Sequence, residues 1–300
     1  MTQPPIAVGP DPVVPWVRQA VEDGGATIVP VAQAEALVWN DPFDVAALQA
    51  TLAQGPHIRW VQLPWAGVED YARAGIFTER TDLLWTSGKG VYAEPVAEHA
   101  LMLSLALMRD VPTRVTATSW GEQSGKSLYD AHVTILGGGG IATSLLQLLE
   151  PFRTTTTVLR RSGPKTLADL DEALEQADVV VLALALTPET EHVIAKPQLE
   201  RMQEHAVLVN VARGRHVVTD DLVHALHNHT IHGAGLDVTD PEPLPDGHPL
   251  WDEPKCIITP HSADTAEMIR PLLSRRITEN VRRFANGDDL IGAVDADAGY

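Results

Sequence analysis

Three polar residues with the side chains needed for a proton-coupled reduction each follow a short apolar segment of the chain. These residues are Arg213, Glu242 and His261. An arginine can bind a carboxylate through two parallel hydrogen bonds and polarise a neighbouring carbonyl group. A histidine can donate a proton to that carbonyl oxygen during its reduction, and a glutamate beside it favours the charged imidazolium. Together they are suited to the reduction of a 2-oxo acid.

Each of the three residues also has a simpler interpretation. Arg213 could be a surface residue after a strand, Glu242 a solvated residue of the proline-rich loop, and His261 a buried histidine held by backbone hydrogen bonds. The functional interpretation is favoured because all three occur downstream of a nucleotide-binding pattern.

That pattern is a strand, a glycine-rich turn and a helix. The β-branched run Val133–Leu136 predicts a buried strand, and apolar residues at helical spacing predict a helix over 141–152. Between them stands Gly137-x-Gly139-x-x-Ala142, in which small residues allow a tight turn, close approach of a pyrophosphate and close helix packing. An ordinary tight turn between strand and helix would also contain glycines. The predicted contacts to a dinucleotide here are Gly137, Gly139, Gly140 and Ile141.

The second strand of this unit predicts the choice of cofactor. NAD-specific folds place a carboxylate about 20 residues beyond the glycines, where it binds the ribose 2′-hydroxyl. No acidic residue occurs from 151 to 168, whereas Arg160, Arg161, Ser162 and Lys165 could surround a 2′-phosphate. A solvated basic turn is the alternative. We therefore predict that NADP(H) is preferred and that NAD(H) is possible.

Alternating strands and helices predict an α/β protein with parallel sheets. The first ~90 residues read as a small open α/β domain, and the helix over 93–109 is apolar on most faces. A long terminal helix over 267–286 could return to the first domain. We therefore expect a discontinuous substrate domain, 1–98 with 267–300, and a nucleotide domain, 99–266.

The amino-acid composition disfavours some classes of partner and indicates the cellular compartment. Forty acidic against 22 basic residues give a net charge of −18, which disfavours binding to nucleic acid. The most apolar long stretch, 96–108, is too short to span a bilayer, so no membrane is expected as a partner. The single cysteine, Cys256, and an N-terminus without a signal-peptide pattern predict a cytoplasmic protein. Four histidines between 224 and 232 are interpreted as a solvated helix end, so no metal is expected.

Four ordered motifs resemble those of the D-isomer-specific 2-hydroxyacid dehydrogenases. The motifs are Gly90–Ala100, Gly137–Ala142, Asn210–Gly214 with Asp220–Leu226, and Gly235–Pro245 continuing to Pro260-His261. The resemblance implies a doubly wound, Rossmann-type nucleotide domain, a smaller flavodoxin-like α/β substrate domain, a cleft between them and a homodimer. It also implies that Arg213, Glu242 and His261 are catalytic.

The resemblance further implies the contacts of substrate and cofactor. Amides around Ala66 and Gly67 would help bind the substrate carboxylate, together with Arg213 and His261. The further cofactor contacts implied are Val211, Ala212, Arg213, Asp237 and His261. Trp65 replaces the smaller residue usual before this string, and we hypothesise that its indole restricts the pocket to short side chains. Trp65 could equally be simple packing.

The leading hypothesis is an NADPH-dependent reductase of small 2-oxo acids such as glyoxylate or hydroxypyruvate, giving the D-2-hydroxy acid. The alternatives are a non-catalytic dinucleotide-sensing protein on the same fold and a member similar to phosphoglycerate, phosphite or formate dehydrogenases. A short-chain dehydrogenase is disfavoured because none of the four tyrosines has a lysine four positions later.

Overall fold

The computed structural model describes residues 3–295 and divides the chain into two compact units. Unit 1 contains the residues up to Tyr92 and those from Thr265 onward, and unit 2 contains Ala93–Asp264. The domain boundaries expected from the sequence, after residues 98 and 266, stay a prediction. The first of them lies inside a helix that belongs wholly to unit 2.

Both units are built from short strands alternating with helices, which confirms the α/β class. The strands are β1 (Pro5–Gly9), β2 (Thr27–Ile28), β3 (Ala36–Trp39), β4 (Trp60–Gln62), β5 (Leu84–Thr86), β6 (His132–Leu136), β7 (Thr155–Leu159), β8 (Val179–Leu182), β9 (Val207–Asn210), β10 (Gly233–Leu236) and β11 (Cys256–Ile258). The helices are α1 (Pro15–Asp23), α2 (Val45–Leu52), α3 (Glu69–Arg73), α4 (Ile76–Glu79), α5 (Ala93–Met108), α6 (Val111–Val115), α7 (Gly140–Leu149), α8 (Leu170–Gln176), α9 (Lys196–Arg201), α10 (Thr219–His227) and α11 (Ala266–Asn286).

Unit 1 contains a five-stranded parallel sheet in the order β2-β1-β3-β4-β5. The terminal helix α11 belongs to this unit because Leu273, Ile277 and Val281, spaced four apart, form one apolar stripe. That stripe is buried with Val17 and Val21 of α1. Burying it removes apolar side chains from water, which stabilises the return of the chain to its first unit.

Unit 2 contains a six-stranded parallel sheet in the order β11-β10-β9-β8-β6-β7. Strands β8 and β9 are buried at every residue, as expected for a parallel sheet covered on both faces. From β6 the chain runs to β7 on one side and then crosses to β8 on the other. The carboxyl ends of β6 and β8 therefore flank the switch point at which such sheets bind ligands.

Helix α5 covers one face of this sheet. A Cβ added at Gly235 of β10 would lie 3.0 Å from the Cβ of Leu103 and 3.3 Å from Leu107. The absence of a side chain at Gly235 thus lets an apolar helix approach the backbone of β10 closely. Four short elements, β5, α3, α4 and α6, have between three and five residues and were not predicted. Within residues 3–295, no helix is long and apolar enough to cross a membrane.

Candidate active site

The glycine turn lies between β6 and α7, at the switch point of the unit 2 sheet. Gly137 has φ of 108°, and a Cβ there would lie 2.2 Å from the carbonyl oxygen of Ala183. Any other residue would be strained and would clash with the chain after β8. A Cβ at Gly139 meets nothing within 4 Å, so this side of the turn is open, and Ala142 is buried. An open turn at the N-terminus of α7 fits the pyrophosphate of a dinucleotide.

Two arginines follow β7 and extend the same edge of the sheet. Arg160 donates a hydrogen bond from Nη1 to the carbonyl oxygen of Gly138 at 3.0 Å, so its guanidinium lies on the glycine turn. Arg161 and Ser162 are exposed in the short loop that follows. Lys165 is directed elsewhere, because its Nζ lies 3.1 Å from Glu172 Oε2 and 3.6 Å from Asp169 Oδ1. The positive charge beside the turn is therefore that of Arg160 and Arg161.

A carboxylate also lies in the electrostatic range of Arg161. The pKa of Glu189 is lowered, first by a hydrogen bond from the Thr187 side chain and to a smaller extent by the charge of Arg161. Both Arg161 and Glu189 are exposed to solvent, which weakens their interaction. Glu189 is a competitor for this arginine that the sequence did not reveal.

The turn that carries Arg213 is held by the last residue of β9. The Asn210 side chain is buried and bonds in two directions: its Oδ1 accepts from the amide of Ala212 at 3.0 Å, and its Nδ2 donates to the carbonyl of Arg213 at 2.9 Å. The guanidinium of Arg213 donates from Nη1 to the carbonyl of Ala212 at 2.8 Å. Val211 and Ala212, which precede it, are buried. The backbone around this arginine is thus fixed by local hydrogen bonds.

Glu242 and His261 form a hydrogen-bonded pair. Oε1 of Glu242 lies 2.7 Å from Nδ1 of His261, and the side chains are 43% and 46% exposed. Because an ionised carboxylate only accepts hydrogen bonds, Nδ1 carries the proton in this contact. The second ring nitrogen, Nε2, then remains for contact with another molecule. The structure brings together two residues that are 19 positions apart in the sequence.

The backbone of His261 is unusual, and Asp237 holds it. His261 has φ of 50°, a region that non-glycine residues rarely occupy. Its amide donates to the carbonyl oxygens of Asp237 and Thr259, both at 2.9 Å. The Asp237 carboxylate, only 2% exposed, accepts from the amides of Ser262 at 2.9 Å and Ala263 at 3.1 Å. The strand-end aspartate therefore anchors the whole turn.

Asp264 is a further charged residue of this region that the sequence analysis missed. Burial raises the pKa of its carboxyl, while the charges of His261 and Arg213 oppose the rise. Asp264 follows His261 by three residues and lies at the end of unit 2. No motif or spacing marked Asp264 as different from an ordinary loop residue.

The predicted carboxylate-binding string, Trp65, Ala66 and Gly67, lies in unit 1 after the end of β4. The hydroxyl of Tyr92 donates to the carbonyl of Pro64, and the amide of Gly88 donates to the carbonyl of Trp65 at 2.9 Å. The Trp65 indole, 41% exposed, meets the Phe43 ring edge-on with centroids 4.9 Å apart. Phe43, which follows β3, was not singled out from the sequence.

Comparison with known proteins decides the family. Residues 100–263 match the model of the family described as D-isomer specific 2-hydroxyacid dehydrogenase, NAD binding domain. The chain belongs to the D-isomer specific 2-hydroxyacid dehydrogenase family. Members of this family are NAD(P)-dependent oxidoreductases acting on CH–OH donors, which confirms the predicted enzyme class.

Three relatives show how far the similarity extends. An uncharacterized protein in the proB 3′ region of Corynebacterium melassecola is 42% identical, over 81% of this chain and 84% of its own. The human glyoxylate reductase/hydroxypyruvate reductase is 33% identical, over 67% of this chain and 66% of its own. The crystal structure of a D-isomer specific 2-hydroxyacid dehydrogenase from Xanthobacter autotrophicus Py2 superposes with a TM-score of 0.83, at 24% identity and over all of both chains. This last likeness confirms the fold of the dehydrogenase.

Proposed function

We propose that this dehydrogenase reduces small 2-oxo acids, such as glyoxylate or hydroxypyruvate, to the D-2-hydroxy acid. We further propose that NADPH is its preferred cofactor and that it acts as a homodimer in the cytoplasm. The hydrogen bond between Glu242 and His261 carries the proposal, because it supplies a histidine with a defined proton-bearing nitrogen. The named activity of the human relative supports the substrate class.

The glycine turn and the residues after β7 would hold the cofactor. The residues that contribute are Gly137, Gly139, Gly140, Ile141, Arg160, Arg161 and Ser162. A bound reduced nicotinamide supplies the hydride for the reduction. The segments at the ends of β9, β10 and β11, with Val211, Ala212 and Asp237, would complete the cofactor site on the same unit.

Arg213 would bind the substrate carboxylate and polarise the carbonyl that is reduced. A guanidinium offers donors in a fixed planar arrangement, which suits two neighbouring oxygens. Its attraction for the carbonyl oxygen increases as negative charge develops there, so it stabilises the transition state more than the bound substrate. The backbone amides of Ala66 and Gly67 are proposed to share the carboxylate.

His261 would donate the proton that the new hydroxyl group needs. Glu242 accepts from Nδ1, so the proton to be transferred stands on Nε2 of the imidazolium. The Glu242 carboxylate stabilises this charged form and fixes the plane of the ring. After transfer, His261 is neutral and recovers a proton from solvent, to which nearly half of its side chain is exposed.

The first test is the activity of the purified enzyme. NADPH or NADH is mixed with glyoxylate, hydroxypyruvate, pyruvate or phenylpyruvate, and the loss of reduced nicotinamide is followed. His261→Ala should lower kcat by about 10²- to 10⁴-fold, the usual contribution of general acid catalysis, with nucleotide affinity nearly unchanged. His205→Ala is the matched control, because His205 also contacts a carboxylate, Asp178, at 2.8 Å. Near wild-type turnover in His261→Ala would contradict the assigned role.

Glu242→Gln provides a second test that is specific to the pair. The carboxylate acts on the reaction by holding the His261 ring, so Glu242→Gln should lower kcat strongly in the wild-type background and hardly at all in His261→Ala. Equal losses in both backgrounds would show that Glu242 does not act through His261.

A further inference from the structure

The His261 turn rests on a chain of buried hydrogen bonds that begins on another element. The hydroxyl of Thr259 donates to Oδ1 of Asp237 at 2.6 Å. Nε2 of His99, on helix α5, lies 2.9 Å from the same hydroxyl oxygen and 3.4 Å from Oδ1 of Asp237. Because the single hydroxyl proton of Thr259 is given to the carboxylate, its oxygen must accept from His99. The direction is therefore from His99 to Thr259 to Asp237.

This chain differs in exposure from the pair that it supports. The side chains of Asp237 and His99 are 2% and 15% exposed, whereas the His261 side chain is 46% exposed. A buried carboxylate must have all its hydrogen bonds satisfied, so removing one donor perturbs the others. Asp237 receives the remaining donors from the amides of Ser262 and Ala263, within the turn that presents His261.

The φ of 50° at His261 explains why the turn needs the hydrogen bonds of Asp237. A non-glycine residue persists in this region only where its surroundings hold it there. The carbonyl of Asp237 binds the amide of His261 directly, and its carboxylate binds the next two amides. Tilting the Asp237 side chain would therefore let the turn relax and carry the imidazole away from Glu242.

We propose that His99 and Thr259 are positioning residues for catalysis: they hold Asp237, and through it they keep His261 in contact with Glu242. His99 and Thr259 need not touch the substrate for this role. The inference rests on the proposed function of His261 as the proton donor. What it adds is the hydrogen-bond chain from His99 on helix α5, through Thr259 and Asp237, to the turn after β11 that carries His261.

Thr259→Val tests the proposal with little change in volume, because it removes the hydroxyl from the middle of the chain. A displacement of about 1 Å can cost about a hundredfold in rate, so we expect kcat to fall by roughly 10- to 100-fold. The loss should fall on kcat, with the KM values for cofactor and 2-oxo acid nearly unchanged, and it should nearly vanish in the His261→Ala background. Thr259→Ser keeps the hydroxyl and should restore kcat. His99→Ala should reproduce the defect if Thr259→Val does not fold.

His232→Gln is the matched control. His232 is also a partly buried histidine of unit 2 and lies 2.9 Å from a buried carboxylate, that of Asp110. The side-chain partners of His232, Asp110 and Lys255, lie outside the turn 259–263. A merely structural loss would lower the active fraction in this variant too, whether or not His261 is present. The proposal is overturned if Thr259→Val keeps the wild-type kcat, if its loss persists undiminished in the His261→Ala background, or if His232→Gln lowers kcat equally.

A crystal structure of Thr259→Val separates this proposal from the proposed function. We expect the turn to leave φ near 50° and the contact between Nδ1 of His261 and Oε1 of Glu242 to lengthen beyond 3.5 Å, the limit of a hydrogen bond. An unchanged turn would refute the support, whatever the activity. A wild-type enzyme that reduces no 2-oxo acid would refute the proposed function and leave this structural test in force.

Discussion

Replacing Arg161 with aspartate should reverse the proposed preference of the enzyme for NADPH over NADH. Arg161 follows the end of β7, where a nucleotide domain meets the adenosine ribose. Arg160 precedes it and is bonded to the carbonyl of Gly138, so its guanidinium is held against the glycine turn. We therefore assign most of the contact with a 2′-phosphate to Arg161.

The magnitude follows from the exposure of the loop. A charged hydrogen bond contributes about 1.5–3 kcal/mol, and Arg161 is exposed, which favours the lower end of that range. Since ~1.4 kcal/mol corresponds to tenfold, one such bond gives NADPH an advantage of about tenfold. The aspartate removes this bond, repels the phosphate and accepts from the 2′-hydroxyl of NADH. Together these changes should alter the ratio of efficiencies by about a hundredfold or more.

The assay is the ratio of kcat/KM for the two cofactors at saturating 2-oxo acid. Arg153→Asp is a suitable control, because Arg153 is an exposed arginine that lies before β7 and pairs with Asp130 at 3.0 Å. Glu189→Gln should increase the NADPH preference, since it removes a carboxylate that competes for Arg161. Equal efficiency with both cofactors in the wild-type enzyme would refute the reasoning. So would an unchanged ratio in Arg161→Asp.

Three further predictions concern the substrate pocket, stability and thiol chemistry. Trp65→Ala should extend activity to phenylpyruvate, and Phe43→Ala should do so in part, because the two rings contact each other; an unchanged order of kcat/KM values among 2-oxo acids would leave Trp65 as packing. Asp264→Asn should stabilise the fold near pH 7. Burial raises the pKa of the Asp264 carboxyl, so the wild-type protein loses stability as the pH rises through the pKa of the folded state. The urea midpoints of the two proteins should therefore converge in acid. Burial, with a smaller contribution from Glu253, raises the pKa of Cys256 to about 12, so iodoacetamide should label the native thiol far more slowly than the urea-unfolded one.

The sequence predicts the parallel sheets of this enzyme well because their strands are buried runs of β-branched and aliphatic residues. Val133–Leu136 was expected as a strand, and β6 occupies His132–Leu136. The terminal helix was expected over 267–286 and runs from Ala266 to Asn286. By contrast, β5 has three residues, of which Leu84 is exposed, and its pairing with β4 is a long-range contact that no local pattern records.

Site residues could be predicted from the sequence where their role requires one particular type of residue. The glycines are such a case, since Gly137 has no alternative at its backbone angle. The partner of His261 was expected from its charge, and the contact with Glu242 is present at 2.7 Å. Asp264 and Phe43 could not be found in this way, because their significance lies only in what the fold places beside them.

The two turns that carry Arg213 and His261 share one construction, which explains why the catalytic residues themselves do not reveal their support. Asn210 ends β9 and accepts from an amide of the turn that follows it. Asp237 immediately follows β10, and it accepts from amides of the turn that follows the neighbouring strand, β11. Both side chains are buried, and each supplies an acceptor to backbone amides of its turn. A buried polar side chain at a strand end therefore fixes a turn, while the functional side chain that the turn carries remains at least partly exposed to solvent.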